Sequence, residues 1–261
     1  MQTYPTPLPG PYDSYFGGKS GNGVAQTIIN HIRPHDIYME LFLGNGSVFR
    51  HKRPASVSVL MDASRQVFSD WFDRLLSFRQ SVELLHGDAL AFLAAYPFDK
   101  TVRYCLCLDP PYPIRSRRAA RAVYACELTD DDHRDLLRLV RYLPDNVDVL
   151  ISTYENPIYA DMLADWHLVT FRAMTRQGPA TEYLYMNYVP DGRLHDYRYL
   201  GTDRTDRQRI RRKISREIAR LQQLPPAERN AIVTAVSALA SAASTSYPAA
   251  KPEPGTPDQP I

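Results

Sequence analysis

The chain has few of the features that mark secreted, membrane-spanning or metal-binding proteins. Its three cysteines in 261 residues are an odd number, and we interpret Cys105, Cys107 and Cys126 as small core residues, not a disulfide frame or a metal site. No apolar run approaches the roughly 18 residues that a membrane span needs, and the first residues show no signal-peptide pattern. We therefore expect a cytoplasmic protein with no metal and no membrane partner.

Charge of one sign is also lacking. Lysine and arginine together number 31 and aspartate and glutamate number 29, so the net charge is +2 at pH 7. A nucleic-acid partner would therefore have to be bound by local clusters of cations and not by the overall charge. The length suits one catalytic domain with attached elements.

The tetrapeptide Asp109-Pro110-Pro111-Tyr112 follows an apolar run, 102–108, that predicts a buried strand. The prolines remove two backbone donors, so their carbonyls can only accept. The carboxylate of Asp109 is a second acceptor, and Tyr112 offers a ring for stacking. Two acceptors beside a ring suit an exocyclic amino group whose lone pair must be freed for attack, although the tetrapeptide alone could equally be a strand-ending turn.

Three further predicted strands end in residues suited to a nucleotide. Gly44 and Gly46 follow the first, where they let the backbone approach a ligand and expose amides. A dinucleotide fingerprint would need a third glycine where Phe49 stands, which disfavours NAD. Asp62 ends the second strand, where a carboxylate can take both ribose hydroxyls, and Asp88 follows the third. Together with the tetrapeptide, these strand ends predict one site.

These segments resemble the Dam-like DNA adenine methyltransferases, especially the short forms of phages and prophages. The similarity covers about residues 12 to 235, and the tetrapeptide with Gly-Gly-Lys upstream is its most specific part. The matching segments are Tyr15 to Lys19, Glu40 to Ser47, Asp62, Asp109 to Tyr112, Leu128 to His133, Ile151 to Tyr154, Thr181 to Asn187 and Leu194 to Gly201. A bacterial or phage-infected host cell is the location that the resemblance implies, with a restriction-modification system as one setting.

The resemblance implies S-adenosylmethionine as cofactor and the amino group of adenine in double-stranded DNA as substrate, with the base flipped out of the helix. It implies that Lys19 holds the methionine carboxylate and that Tyr15 packs against the cofactor. Asp109 and the Pro110 carbonyl would take the amino protons, and Tyr112 would stack on the base. The residues expected at the cofactor are Tyr15, Lys19, Glu40, Phe42, Gly44, Gly46, Asp62, Asp88 and Asp109.

The pattern along the chain predicts a doubly wound, mostly parallel α/β sheet over residues 12–189. Two late strands, 166–173 and 181–189, predict the terminal antiparallel hairpin of the S-adenosylmethionine-dependent methyltransferase fold. We expect a basic, helical C-terminal extension over 190–240, with probable DNA contact there. The segment 241–261 is rich in alanine, serine and proline, which favours disorder.

One departure from the better-known Dam pattern concerns DNA recognition. Those enzymes insert a recognition domain before the Asp-Pro-Pro-Tyr strand, but here about twenty residues separate Asp88 from Asp109. Recognition must therefore lie elsewhere in this chain, and the specificity of the relatives does not carry over.

Two clusters of cations are candidates for DNA contact, although a solvated loop or helix face is the alternative for each. The first follows Tyr112, and the second lies in a predicted helix whose stripe of Ile210, Ile214, Ile218 and Leu221 would dock against the body. The predicted DNA contacts are Arg115, Arg117, Arg118, Arg121, Arg209, Arg212, Lys213 and Arg216.

Two other functions remain open from the sequence. Related tetrapeptides serve enzymes that methylate RNA adenine or protein glutamine, although a glutamine methyltransferase has little reason to carry a basic helix. A catalytically inactive DNA-binding relative is a third reading, which the intact Lys19, Asp109 and Tyr112 disfavour.

Overall fold

The computed structural model describes residues 8–13, 19, 23–76, 81–117, 122–175 and 178–244. The chain divides into two units, Met1–Arg204 and Thr205–Ile261. Residues 190–204 therefore belong to the first unit, whereas the predicted catalytic domain ended at residue 189. The predicted tail also needs correction at its start, because residues 241–244 are helical; residues 245–261 lie outside the described part.

The first unit contains seven strands, six α-helices and one 3₁₀ helix, Ile114–Ser116, among its described residues, and the second contains two α-helices. The strands are β1 Ile37–Glu40, β2 Val57–Asp62, β3 Val82–His86, β4 Tyr104–Leu108, β5 Val147–Thr153, β6 His167–Thr175 and β7 Gly178–Met186. The helices are α1 Val24–Ile29, α2 Ser47–His51, α3 Arg65–Leu75, α4 Ala89–Ala95, α5 Asp130–Arg141, α6 Pro157–Met162, α7 Arg204–Gln222 and α8 Pro226–Ser244.

The seven strands form one sheet in the order β3-β2-β1-β4-β5-β7-β6. Strands β1 to β5 are all parallel to one another, whereas β7 runs antiparallel to both β5 and β6. This confirms the predicted doubly wound sheet with its terminal hairpin, the methyltransferase fold. The strand order reverses between β1 and β4, and ligands of such sheets bind at this switch point, beyond the carboxyl ends of the strands.

Two apolar clusters cover the two faces of the sheet. One joins α1, α2 and α3 to the sheet around Trp71 and Tyr38, and the other joins α4, α5 and α6 around Leu106 and Tyr159, all four side chains at least 99% buried. The central strands β4 and β5 are buried along their whole length, as strands covered on both faces must be. The core therefore holds the strand ends at the switch point rigidly.

Local sequence explains the best predicted helix, α5. Thr129 accepts the amide of Asp132 while the Asp132 carboxylate accepts the amide of Thr129, which is the predicted capping box. Leu136, Leu137 and Val140 point to the core and are buried. The predicted interpretation of the cysteines holds for Cys105 and Cys107, but Cys126 is exposed.

The second unit consists of α7 and α8 in its described part. No residue of α7 is buried: Ile214 and Ile218 are 48% and 44% exposed. Ile210 and Leu221 of the same stripe are half-buried, and docking of the stripe on the body stays a prediction. The cations of α7 other than Arg207 are exposed, and their binding of phosphate stays a prediction. No described helix is long and apolar enough to cross a membrane.

Candidate active site

An open cleft of about 1100 Å³, adjoining solvent included, lies at the carboxyl edge of the sheet around the switch point. Its walls come from the ends of β1, β2 and β4, from the loop before α4 and from the segment 124–128. The sequence-predicted residues that line it are Lys19, Glu40, Phe42, Gly44, Gly46, Asp62, Asp88 and Asp109. The structure thus brings together residues that are up to 90 positions apart in the chain.

The loop between β1 and α2 needs its glycines. Gly44 and Gly46 have φ of 47° and 56°, which side chains with a Cβ rarely adopt. A Cβ at Gly46 would lie 2.6 Å from the Trp71 ring. The Trp71 indole also donates to the Gly44 carbonyl at 2.8 Å, so the core directly fixes the loop that faces the cleft.

Asp62 ties this loop to the end of β2. One of its oxygens accepts the Gly44 amide and the other accepts the Ser64 amide, both at 2.8 Å. Burial raises the pKa of Asp62, although these two amide bonds oppose the shift. Each carboxylate oxygen can accept a second hydrogen bond, so ribose hydroxyls remain compatible with this geometry.

Glu40 ends β1 beneath the cleft and is buried. One of its oxygens accepts the Tyr38 hydroxyl at 2.7 Å and the Phe49 amide at 3.1 Å. Burial raises the pKa of Glu40 to about 7. Nearby, the buried Ser47 hydroxyl lines the cleft and has no hydrogen-bond partner among the described residues. An unsatisfied buried hydroxyl at a cleft is a place for a polar ligand.

Asp88 caps α4, its Oδ1 accepting the Ala91 amide at 2.8 Å. The side chain is exposed at the cleft, between Asp62 and the Tyr124 segment. The position therefore allows the predicted contact with a cofactor base while the carboxylate also has a structural role.

Asp109 follows β4 directly and is three-quarters buried. Its Oδ1 accepts the Ser152 hydroxyl at 2.8 Å and lies 3.0 Å from the Lys19 ammonium. Its Oδ2 accepts no hydrogen bond from the described residues. The carboxylate is therefore held by one oxygen and keeps the other for a ligand.

Lys19, Tyr112 and Glu182 form a buried cluster beside Asp109. The Lys19 ammonium donates to the Tyr112 hydroxyl and lies 3.4 Å from both Glu182 oxygens. The Tyr112 hydroxyl donates to Glu182 at 2.6 Å, and its ring packs edge to face on Tyr154 at 4.6 Å. Lys19 thus contacts Asp109 and Tyr112 of the Asp-Pro-Pro-Tyr segment, and its predicted contact with a cofactor carboxylate stays a prediction.

Sequence reasoning gave no role to Glu182 or Ser152. Both lie in segments that match the family, on β7 and β5, but neither segment has a spacing that points at Asp109. Only the antiparallel pairing, in which Thr153 is opposite Tyr183, carries Glu182 to this end of the sheet. A buried acid in a strand of apolar neighbours was the one available signal.

Arg117 holds the wall of the cleft together. Its guanidinium donates to the Tyr112 carbonyl at 2.5 Å and to both Glu127 oxygens at 2.8 and 2.5 Å. The Val123 and Tyr124 amides donate to the same Glu127 carboxylate. Burial would raise the pKa of Glu127, but these hydrogen bonds lower it to about 2.

The prediction that Arg117 contacts DNA is therefore not supported, because its guanidinium is buried and paired with Glu127. Arg115, two residues earlier, is exposed and remains a candidate. The predicted contacts Arg118 and Arg121 lie outside the described residues, as does Tyr15.

No protein-family model and no curated protein matches the chain. Among solved structures, TrmN from Thermus thermophilus shares 16% identity over 62% of this chain and 47% of its own, with a TM-score of 0.46. TrmK from M. capricolum, solved with S-adenosyl-homocysteine, shares 6% identity over 84% and 96%, with a TM-score of 0.40. A precorrin 8w decarboxylase from Methanobacterium thermoautotrophicum shares 12% identity over 62% and 87%, with a TM-score of 0.39. These values are too low to transfer an activity or a substrate.

Proposed function

We propose that this chain transfers a methyl group from S-adenosylmethionine to the exocyclic amino group of adenine in double-stranded DNA, at a specific sequence and by base flipping. The observation that carries the proposal is the placement of Asp109. One of its oxygens is anchored by Ser152 and Lys19, the other is uncommitted, and the cleft opens directly beside it. The Dam-like resemblance of the same residues supports adenine in DNA as the substrate.

The cleft fits this cofactor by its own features. It offers the unsatisfied Ser47 hydroxyl and the carboxylates of Asp62 and Asp88 at neighbouring strand ends, whereas the Gly44 and Gly46 amides already donate to Asp62 and to the Leu43 carbonyl. Asp62 would take the ribose hydroxyls and Asp88 the cofactor's adenine. When bound, S-adenosylmethionine supplies the methyl group, whose bond to sulfur breaks as the bond to nitrogen forms, the electron pair remaining on sulfur.

The chain's own residues prepare the amino group for attack. Asp109 Oδ2 accepts one amino proton and the Pro110 carbonyl accepts the other, which draws the nitrogen lone pair out of the ring. The amino group then loses one proton to solvent by way of Asp109. Acceptors fixed before the reaction are the most effective kind, and removing one such group typically costs about 100- to 1000-fold in kcat.

Tyr112 is the proposed stacking partner of the flipped base. Its ring is buried against Tyr154, so base entry requires the two rings to separate. A paired adenine hides its amino group within the helix, and flipping is the way such enzymes reach it.

The two DNA contacts that we propose are considered separately: the exposed cations of α7 in the second unit, and Arg115 in the first unit. Four of the predicted cations, Arg209, Arg212, Lys213 and Arg216, lie on α7 and are exposed. Contacts of this kind bind phosphates and orient the duplex without reading its sequence. Arg115 is better placed to contribute base contacts, because it follows Tyr112 closely.

The deciding experiment is transfer of tritiated methyl groups from S-adenosylmethionine to plasmid DNA, RNA and protein in parallel. We expect label in DNA, with N6-methyladenine at one sequence context when DNA from a methylation-free host is read. Label in RNA alone, or in protein glutamine alone, would show that DNA is not the substrate but would still support methyl transfer. No transfer to any of the three, with cofactor bound, would overturn the proposed function.

Cofactor placement has its own test. Asp62→Ala should weaken S-adenosylmethionine binding by calorimetry while leaving duplex affinity unchanged in the absence of cofactor. Asp131→Ala, at an exposed site on α5, is the matched control. Unchanged cofactor affinity in Asp62→Ala would move the cofactor away from the β2 end.

A further inference from the structure

Glu182 is a buried carboxylate that the mechanism above does not use. It lies on β7 and is 4% exposed, whereas Thr181 before it is exposed and Tyr183 after it is half-buried. A carboxylate in such a place is costly unless it is paired. Its partners are the Tyr112 hydroxyl at 2.6 Å and the Lys19 ammonium at 3.4 Å, both belonging to the proposed active site.

The charges of this cluster do not cancel. One ammonium, Lys19, faces two carboxylates, Asp109 at 3.0 Å and Glu182 at 3.4 Å. Because the distances are nearly equal, the ammonium is shared between the two. With Glu182 absent, Lys19 would pair with Asp109 alone and neutralise it.

That difference matters at the stage when methyl transfer places positive charge on the amino nitrogen. An acceptor neutralised by its own ammonium stabilises this charge poorly, whereas a carboxylate in a cluster with a net negative charge stabilises it well. In a buried site such effects are strong, because the surroundings screen charges weakly.

We propose that Glu182 is a positioning residue that acts through Lys19: by sharing the ammonium, it leaves Asp109 an uncompensated acceptor for the substrate amino group. The assignment rests on the proposed methyl transfer and adds to it a second, indirectly acting carboxylate. Glu182 itself touches neither the amino group nor the cofactor in this scheme. Its contact with the Tyr112 hydroxyl keeps the same carboxylate in place.

The first test is a kinetic double-mutant cycle. Glu182→Gln keeps the shape and a hydrogen-bond acceptor for Tyr112 but removes the charge, so kcat should fall at least about tenfold with little change in KM for DNA or cofactor. In a Lys19→Met background, the same change should lower kcat by no more than about twofold, because there is no ammonium left to share. Glu83→Gln, an exposed glutamate on β3, is the matched control and should act like wild type.

Equal losses in both backgrounds would overturn the proposal, since Glu182 would then act through Tyr112 or through the fold. An unchanged kcat in Glu182→Gln would overturn it as well. A rise in KM without a change in kcat would show a binding role and would also contradict it.

The second test needs no activity. Urea unfolding of wild type, Lys19→Met, Glu182→Gln and the double variant should give non-additive losses of stability, as expected for an ion pair that shares one charge. If wild type binds cofactor but methylates nothing, the proposed function fails. The unfolding measurements would then be the remaining test of whether Lys19 is shared between Asp109 and Glu182. Additive losses would then overturn the shared ammonium itself.

Discussion

The first unit buries two lysines, and the sheet places them in opposite electrostatic surroundings. Lys19 lies at the carboxyl edge, between the carboxylates of Asp109 and Glu182. Lys52, at the end of α2, has its ammonium 3.9 Å from the Tyr38 ring centre and 3.2 Å from the Arg53 carbonyl. Both are over 90% buried.

Their pKa values move apart for this reason. Burial would lower the pKa of Lys19, but Asp109 and Glu182 raise it above the ordinary value. Burial lowers the pKa of Lys52 to about 8, although nearby acidic groups, Glu40 among them, oppose the shift. The comparison teaches that burial alone does not mark a site. What distinguishes Lys19, the lysine of the proposed active site, is an excess of carboxylate around it.

The largest expected effect comes from removing Asp109, one of the two carboxylates that distinguish the surroundings of Lys19 from those of Lys52. Asp109→Ala should lower kcat by about 100- to 1000-fold while S-adenosylmethionine binding survives, because an amino-group acceptor is lost. Methyl transfer to plasmid DNA measures the rate, and calorimetry measures cofactor binding. A near wild-type rate in Asp109→Ala would show that this carboxylate is not the acceptor.

The second prediction contrasts the two lysines by stability. Lys19→Met should destabilise the protein by about 3–5 kcal/mol at pH 7, because two buried carboxylates lose their cation. Lys52→Met should destabilise the protein less than Lys19→Met at pH 7, because it removes a buried positive charge. Urea unfolding gives the comparison, and equal losses would contradict it.

The lowered pKa of Lys52 makes its contribution to the free energy of unfolding depend on pH. The folded pKa, about 8, lies below the ordinary 10.5, so this group opposes folding below pH 8 and stops doing so as pH rises through 10.5. The stability of Lys52→Met relative to wild type should therefore be better at pH 7 than at pH 10, by an amount on the order of 3 kcal/mol. A difference that does not vary with pH would contradict the buried, charged Lys52.

The third prediction concerns Glu40, whose folded pKa of about 7 lies above the ordinary 4.5. The folded state then holds a proton that the unfolded chain has lost, so this group lowers stability as pH rises from 4.5 to 7. The stability of Glu40→Gln relative to wild type should improve over that window.

The stability of wild type must be compared with that of Glu40→Gln at each pH, because three buried histidines change the stability with pH in the opposite direction. Burial lowers the pKa of His133 and of His195 to about 4 and that of His35 well below 6.5, and they favour the folded state as pH rises. These histidines are present in both proteins, so the difference isolates Glu40. A difference that falls with rising pH would contradict the buried acid.

The smallest expected effect concerns exposed cations on α7, in contrast to the buried Lys19 and Lys52. Neutralising Arg209, Arg212 and Arg216 together should weaken DNA binding for all sequences alike and flatten its salt dependence by roughly one unit per lost phosphate contact. The control neutralises Arg134, Arg138 and Arg141 on α5, each of which is paired with an acid, as Arg209 on α7 is with Asp206. A DNA affinity and a salt dependence equal to those of wild type in the α7 variant would show that these cations do not bind DNA.

Much of the fold could be predicted because its signals are local. The capping box at Thr129, the apolar strands and the glycines at 44 and 46 act over a few residues, and each lies where predicted. The predictions that failed depended on what a side chain meets in space. Arg117 belongs to a cationic run in sequence, but Glu127 and the Tyr112 carbonyl draw it into the interior.

The sequence by itself determined the order of strands and helices, and with it the edge at which Gly44, Asp62 and Asp109 meet, because parallel strands end on the same side of a sheet. Tertiary structure alone decided which charges face one another. Glu182 reaches Lys19 because β7 runs antiparallel to β5, and Lys52 finds an aromatic ring in place of a carboxylate. Electrostatic energies depend on distance and burial, and neither is encoded by position along the chain.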